Sequence, residues 1–235
     1  MNNESTKQTK KRVQRSRAAE KAVDQVFGSS SGPLKQPARG RRDVSTSSRT
    51  KRTREYLTAE EIGKLLTAAK TATRNPVRDY CALLLMFRHG LRVSELCAIK
   101  LSDINVQTKE FHVNRLKDCD SGPHELYNGE PAAVKAWLVE RAKMKVPADC
   151  DTLFVSERRK PLSRVTVWHM IGLVAKAAGL AHLDIHPHML RHSCGYALVN
   201  KGTDIRIIQG YLGHRAISST VRYTTLDSRR FAKLF

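Results

Sequence analysis

The chain has 235 residues, 40% of them hydrophobic and 6% aromatic, enough for one sizeable core with a small appendage but not for an aromatic-rich β-sandwich. Lys and Arg number 42 against 22 Asp and Glu, a formal charge of +20, which points to a polyanion as partner, nucleic acid being the commonest. A membrane is the rival polyanion, but no apolar run approaches the roughly 18–20 residues of a bilayer span, and the opening MNNESTKQTKKRVQRSR lacks the apolar stretch of a secretory signal, so the expected location is the cytoplasm, with no membrane partner.

Residues 1–54 hold 15 Lys and Arg against 4 Asp and Glu, while residues 55–235 hold 27 against 18. With SSSGP, ARGRR and STSSRTKRTR and few large apolar side chains, this front segment cannot offset its ordering entropy and reads as a basic, mostly disordered arm. Within it, Ala18, Ala19, Ala22, Val23, Val26 and Phe27 fall at helical spacing, a short helix that can form on DNA or a partner. From Tyr56 the texture changes. Thr58-Ala-Glu-Glu61 is a capping box, with Ile62, Leu65, Leu66 and Ala69 on one face behind it. Pro76 opens a second helix through CALLLMF (81–87) that stops near Gly90. A short third helix spans Ser94 to Ile99. Glu110 to Leu116 then alternates, with Phe111 and Val113 on one side, and Gly122-Pro123 marks a turn, so a hairpin or three-stranded sheet is expected here. Pro131 begins a helix through Trp137 and Leu138, Leu153-Phe154-Val155 is a brief strand, and helices follow at about 163–178, 188–201, 204–211 and 217–224. The expected class is mainly α with a small antiparallel β-sheet (α+β). Cys81, Cys97, Cys119, Cys150 and Cys194 are odd in number, widely spaced and free of any C-x-x-C pair, which indicates free thiols in a reducing compartment and neither a disulfide framework nor a zinc site.

Four pieces carry chemistry: Arg92 in HGLRVSEL (89–96), His188-Met-Leu-Arg191 inside HPHMLRH (186–192), Leu212-Gly-His214, and Tyr223 in STVRYT (219–224). His188 and Arg191 are three apart on one helix face, near a helix start where backbone N–H groups favour an anion. Gly213 permits a sharp turn, after which a short helix can return Tyr223 to the same pocket.

Taken in order, these pieces resemble the active site of the tyrosine recombinase (phage integrase-like) family. The stretches HPHMLRHSCGYAL (186–198), YLGHR (211–215) and TVRYT (220–224) carry a closer likeness to its short bacterial members, the fimbrial phase-variation recombinases, which invert a promoter-bearing DNA element. The resemblance covers residues 55–235, the catalytic domain with its family fold, and not the arm at 1–54. It implies a site-specific recombinase that cuts double-stranded DNA through a 3′-phosphotyrosine link and leaves a free 5′-hydroxyl. It also implies that His188 assists the nucleophile, and that a lysine of the β-hairpin is the general acid for the departing oxygen. Lys117, in NRLKDCDSGPHEL (114–126), is the choice for that lysine, with Lys109 as the fallback.

The chemistry stands beside the resemblance. In-line attack on a phosphodiester places charge on the non-bridging oxygens, and guanidiniums meet that charge with paired donors at any working pH. Arg92 and Arg191 form the clamp, His188 and His214 donate hydrogen bonds or move protons, and the phenol of Tyr223, whose reference pKa is about 10, attacks with help from cationic neighbours and a base. The link conserves bond energy, so no ATP, cofactor or metal is expected, and the acidic cluster of a two-metal nuclease is not apparent. His192 reads as a packing or supporting residue, His186 as structural and Cys194 as core. Ser94 and Glu95 either support Arg92 or simply begin a helix. The remaining tyrosines pack or cap.

Many family members carry a helical DNA-clamping domain ahead of the catalytic one. The low-apolar segment 1–54 cannot build it, and the short fimbrial-type members lack it too. Recognition then falls to the catalytic domain, helped by the arm or by host DNA-bending proteins. Two cleaved strands at two sites imply a homo-tetramer, and SRRFAKLF (228–235), with Phe231, Leu234 and Phe235, is a candidate docking helix between subunits. Two other readings remain open: a non-catalytic DNA-binding transcriptional regulator with the same fold, and a type IB topoisomerase.

Overall fold

The structure is a computed structural model and describes residues 54–115 and 122–224. The expected arm (except Arg54), Lys117, Cys119 and SRRFAKLF lie outside the described residues. Among the described residues the fold is mainly helical with one three-stranded antiparallel sheet, as expected.

Helix α1 (Ala59–Ala69) begins at the expected capping box. The Thr58 hydroxyl accepts the Glu61 amide at 3.3 Å, and the Glu61 carboxylate accepts the Thr58 amide at 2.7 Å. Ile62, Leu65, Leu66 and Ala69 form its buried face. Helix α2 (Pro76–Arg88) takes proline at its first position, where no N–H is needed. From Cys81 to Phe87 every side chain is buried, because α1, α4 (Glu130–Lys143) and α6 (Pro187–Asn200) surround this helix. It ends at Gly90, whose φ is +56°. A Cβ there would lie 2.3 Å from Leu212 Cδ2, so glycine alone lets this turn pack on helix α7 (Ile205–Leu212).

After the short helix α3 (Val93–Ala98) the sheet runs β1 (Ile104–Asn105), β2 (Glu110–Val113), β3 (Gly122–Glu125), in that spatial order. Phe111 and Val113 face the core, and the alternation continues to a buried Arg115. Gly122-Pro123 does not form the expected turn. It opens β3, with Gly122 opposite Val113 and Pro123 opposite His112. Proline is tolerated because β3 is an edge strand, where its missing N–H breaks no ladder.

Leu153-Phe154-Val155 is fully buried but is not the expected strand. Two isolated bridges flank it, Thr152 with Lys100 and Val155 with Pro161. Its backbone is satisfied locally: the Leu153 amide donates to Ile99 O at 2.7 Å, and Trp137 Nε1 donates to Leu153 O at 2.9 Å. Helix α5 (Arg164–Ala177) precedes α6, and α8 (Ser218–Val221) is shorter than expected, with Arg222 to Thr224 continuing as a turn. A main core fills the space between α1 and α6. A second, smaller cluster joins Cys194, Val199, Ile208, Leu212 and Tyr223 where α6, α7 and the end of α8 meet. No described helix is long and apolar enough to cross a membrane.

Candidate active site

Three guanidiniums tie together the turn after α2, the end of α7 and helix α6. Arg191, only 3% exposed, donates to Gly90 O and to Leu212 O, each at 2.5 Å. Arg92, half-buried at the start of α3, donates to Gly213 O at 3.2 Å and to Glu95 Oε1 at 2.6 Å. Arg115, buried at the end of the β2 alternation, donates to Tyr211 O at 2.5 Å, His89 O at 3.0 Å and Glu95 Oε2 at 2.9 Å. Gly213, at φ +62°, closes α7 and leaves room for the Arg115 side chain, which a Cβ there would approach to 3.0 Å.

Glu95 is the carboxylate shared by Arg92 and Arg115. Burial alone would raise its pKa, but the Arg92 amide, the Arg115 charge and the Arg92 side chain outweigh it and hold the group below the usual carboxylate range. Burial, then the charges of Arg92 and Arg115, brings Arg191 down to about 10, which still leaves it cationic at neutral pH. Three cations around one anion give a positive surplus suited to an anionic ligand.

The tyrosine side of the site is built on α6. Tyr223 is 2% exposed, and its ring lies across Gly195, where a Cβ would fall 2.6 to 2.9 Å from the ring carbons. Tyr196 meets the ring edge-on at 5.1 Å and His214 stacks on it at 6.1 Å. Its hydroxyl lies 3.0 Å from His192 Nδ1. Burial pushes the phenol up to about 12, against the opposing pull of Arg191 and Arg222. His214 Nδ1 pairs with the buried Thr220 hydroxyl at 2.9 Å. Burial first, then Arg191 and Arg92, lowers His214 to about 4, so its imidazole is neutral at neutral pH.

Of the residues expected from the sequence, Arg92, Arg191, His214 and Tyr223 come together here. His188 is the exposed residue of an otherwise buried first turn of α6, three residues before Arg191. Partial desolvation, then His186, Arg191 and Arg92, lowers its pKa. The hydrogen bond of the phenol goes to His192 and not to His188. Lys117 lies outside the described residues, and Lys109 sits in the exposed turn before β2, at the opposite end of that strand from Arg115. Glu95 does support Arg92. Arg115, Gly195 and Thr220 were not singled out. Arg115 had a signal, because it continues the inward phase of Phe111 and Val113. Gly195 had another, lying three residues beyond His192 and hence on the same side of α6.

Residues 55–230 match the Phage integrase family, and the chain belongs to that family. Type 1 fimbriae regulatory protein FimB of Escherichia coli K12 is 47% identical over 178 residues, covering 76% of this chain and 88% of that protein. FimE of the same strain is 41% identical over 182 residues, covering 77% and 91%. The fold is similar to the crystal structure of XerA recombinase, with a TM-score of 0.66 at 31% identity, over 76% of this chain and 63% of that one.

The Gly195 contact makes a prediction. In Gly195→Ala the new methyl occupies the slot of the Tyr223 ring, which must shift. A misplacement of about 1 Å lowers the rate of a positioned reaction by roughly 10²-fold. Single-turnover DNA cleavage is expected to fall by that amount, while DNA affinity in a gel-shift assay stays unchanged.

Proposed function

We propose that this protein is a site-specific tyrosine recombinase that breaks and rejoins double-stranded DNA with Tyr223 as nucleophile. One observation carries the reading: a buried phenol, with His192 at its hydroxyl and His214 stacked on its ring, sits beside the turn whose Leu212 and Gly213 carbonyls are held by Arg191 and Arg92. In this mechanism Arg92 and Arg191 bind the non-bridging oxygens of the scissile phosphate and stabilise the charge that develops on them. His188 and His214 donate to the same oxygens or move protons, and Lys117 protonates the departing 5′-oxygen. The product is a 3′-phosphotyrosine, and attack by a 5′-hydroxyl reverses the step.

Residues 55–235 serve as the catalytic domain and 1–54 as a basic arm that adds salt-sensitive affinity for DNA. The working complex is a homo-tetramer on two DNA sites, assisted by host DNA-bending proteins, and its outcome is inversion of a short promoter-bearing element. The likeness to two proteins named as regulators of type 1 fimbriae supports inversion over excision or integration. A pair of short inverted repeats around a promoter beside the gene would support it further.

The test uses a duplex built on the site that the full chain selects from a random-sequence library, nicked beside the cleavage point so that the cut strand end diffuses away. The expected result is a protein–DNA adduct resistant to SDS, linked at Tyr223. Sequence-specific binding with no adduct under any condition would favour the regulator reading. Sequence-independent relaxation of supercoiled DNA would favour the topoisomerase.

A further inference from the structure

The phenol of Tyr223 and the imidazole of His192 form a buried pair that the expected division of labour does not use. His192 follows Arg191 on α6 and is half-buried, with its Nδ1 3.0 Å from the Tyr223 hydroxyl. The ring of the tyrosine is fixed from three other sides, by Gly195 below, Tyr196 at the edge and His214 on the face. His188, one turn earlier on α6, is exposed, and its ring centre is 6.5 Å from that of His192.

We propose that His192 takes the phenolic proton of Tyr223, at Nδ1, as the tyrosine oxygen attacks phosphorus. This rests on the recombinase reading above. The O–H bond of Tyr223 breaks and its oxygen bonds to phosphorus. The P–O5′ bond breaks, and the departing 5′-oxygen takes a proton from a separate acid, the role assigned above to Lys117. In rejoining, the 5′-hydroxyl attacks phosphorus and returns its proton to the group that supplied it, while the leaving tyrosine oxygen recovers its own proton from His192. No other reactant is needed.

The charge state of the pair suits this role. Burial, then the charge of Arg222, lowers His192 to about 4, with Glu55 opposing and His188 and Arg191 adding to the fall. The charged and titratable groups around His192 are thus Arg222 and Tyr223 at the end of α8, Glu55 ahead of α1, His188 and Arg191 on α6, and His214, which feels its charge. At neutral pH the imidazole is neutral and can accept. A base this weak does not ionise a resting phenol. The phenolic proton becomes acidic only as the oxygen bonds to phosphorus, so the transfer is concerted with attack, as in general base catalysis.

The experiment measures single-turnover adduct formation from pH 6.5 to 9.5 on the self-selected nicked duplex, for wild type, His192→Asn and His188→Ala. Asparagine places an amide oxygen near the position of Nδ1, so it can hold the phenol but cannot carry its proton. Wild type is expected to be nearly independent of pH. His192→Asn is expected to be about 10²-fold slower at pH 7.5, the low end of a general base's contribution. Its rate should rise about tenfold per pH unit, as hydroxide replaces the missing base. An Asn variant within a fewfold of wild type, with the same flat profile, would overturn the proposal and leave the recombinase reading intact. The same steep profile appearing in His188→Ala instead would also overturn it. An absence of adduct from wild type would remove both readings. A second arm needs no DNA and no variant: ¹⁵N NMR of the full chain should find His192 with its proton on Nε2. A proton on Nδ1 would make His192 the donor and end the proposal.

Discussion

Tyr223→Phe is expected to bind the selected DNA with wild-type affinity and to leave no covalent adduct, even after long incubation. The substitution removes one oxygen and keeps the ring in its slot across Gly195. The hydrogen bond lost to His192 contributes about 1 kcal/mol net, so thermal stability should scarcely change. A folded, DNA-binding protein that cannot form the link would tie the chemistry to this hydroxyl. An adduct from the phenylalanine variant would show that another residue attacks. Tyr211 is then the first suspect, but its hydroxyl donates to Arg88 O at 3.0 Å, and burial drives its pKa well above the ordinary tyrosine range. A phenol so placed is a structural donor, a second reason to expect the loss to be complete.

The second large effect is expected at Arg191. Arg191→Lys keeps the charge and loses the fork. Arg191 uses one amino group on Gly90 O and the other on Leu212 O, and its remaining donors are proposed to meet the phosphate. A lysine ammonium has three donors but is a compact point charge on a flexible stem, without the rigid planar fork that spans two carbonyls on separate turns and still faces an oxyanion. The cleavage rate should fall by about 10³-fold, the upper range for losing one preorganised donor to a developing oxyanion. The fold should also suffer, since a buried carbonyl left without its donor costs about 1–3 kcal/mol. The two losses separate in the measurements. Single-turnover cleavage at a temperature well below the melting point reads the first, and the melting curve reads the second. A lysine variant that melts early but cleaves within tenfold of wild type would mean that Arg191 is a structural staple and not part of the clamp.

The helices were legible because they rest on local rules. Capping at Thr58, proline at the first position of α2 and the apolar stripe of α1 act within a few residues, so they read directly from the chain. The candidate set Arg92, His188, Arg191, His214 and Tyr223 came from motifs in a fixed order and the family they resemble; the structure brings Arg92, Arg191, His214 and Tyr223 together, while His188 stays exposed. Gly122-Pro123 misled because a turn signal is also tolerated at the start of an edge strand, and only pairing with β2 decides between them. Leu153 to Val155 misled because a buried apolar triplet looks the same whether or not a strand lies beside it. Arg115 belongs to no motif, and only its position two residues beyond Val113, in phase with Phe111 and Val113, sets it apart from the other cations of a basic chain.

From the amino-acid order alone come the charge that selects a polyanion, the helical periodicity, and a phenol that follows a paired histidine and arginine. The fold alone decides which imidazole meets that phenol and which guanidiniums share Glu95. His192 and Tyr223 stand 31 positions apart, and Arg92 reaches Gly213 across 121. Contacts of that span depend on how α6, α7 and the turn after α2 pack, and packing is set by shape across many residues at once. His188 and His192 lie one turn apart on the same helix, and only the seat of the Tyr223 ring on Gly195 brings the second of them within reach of the hydroxyl.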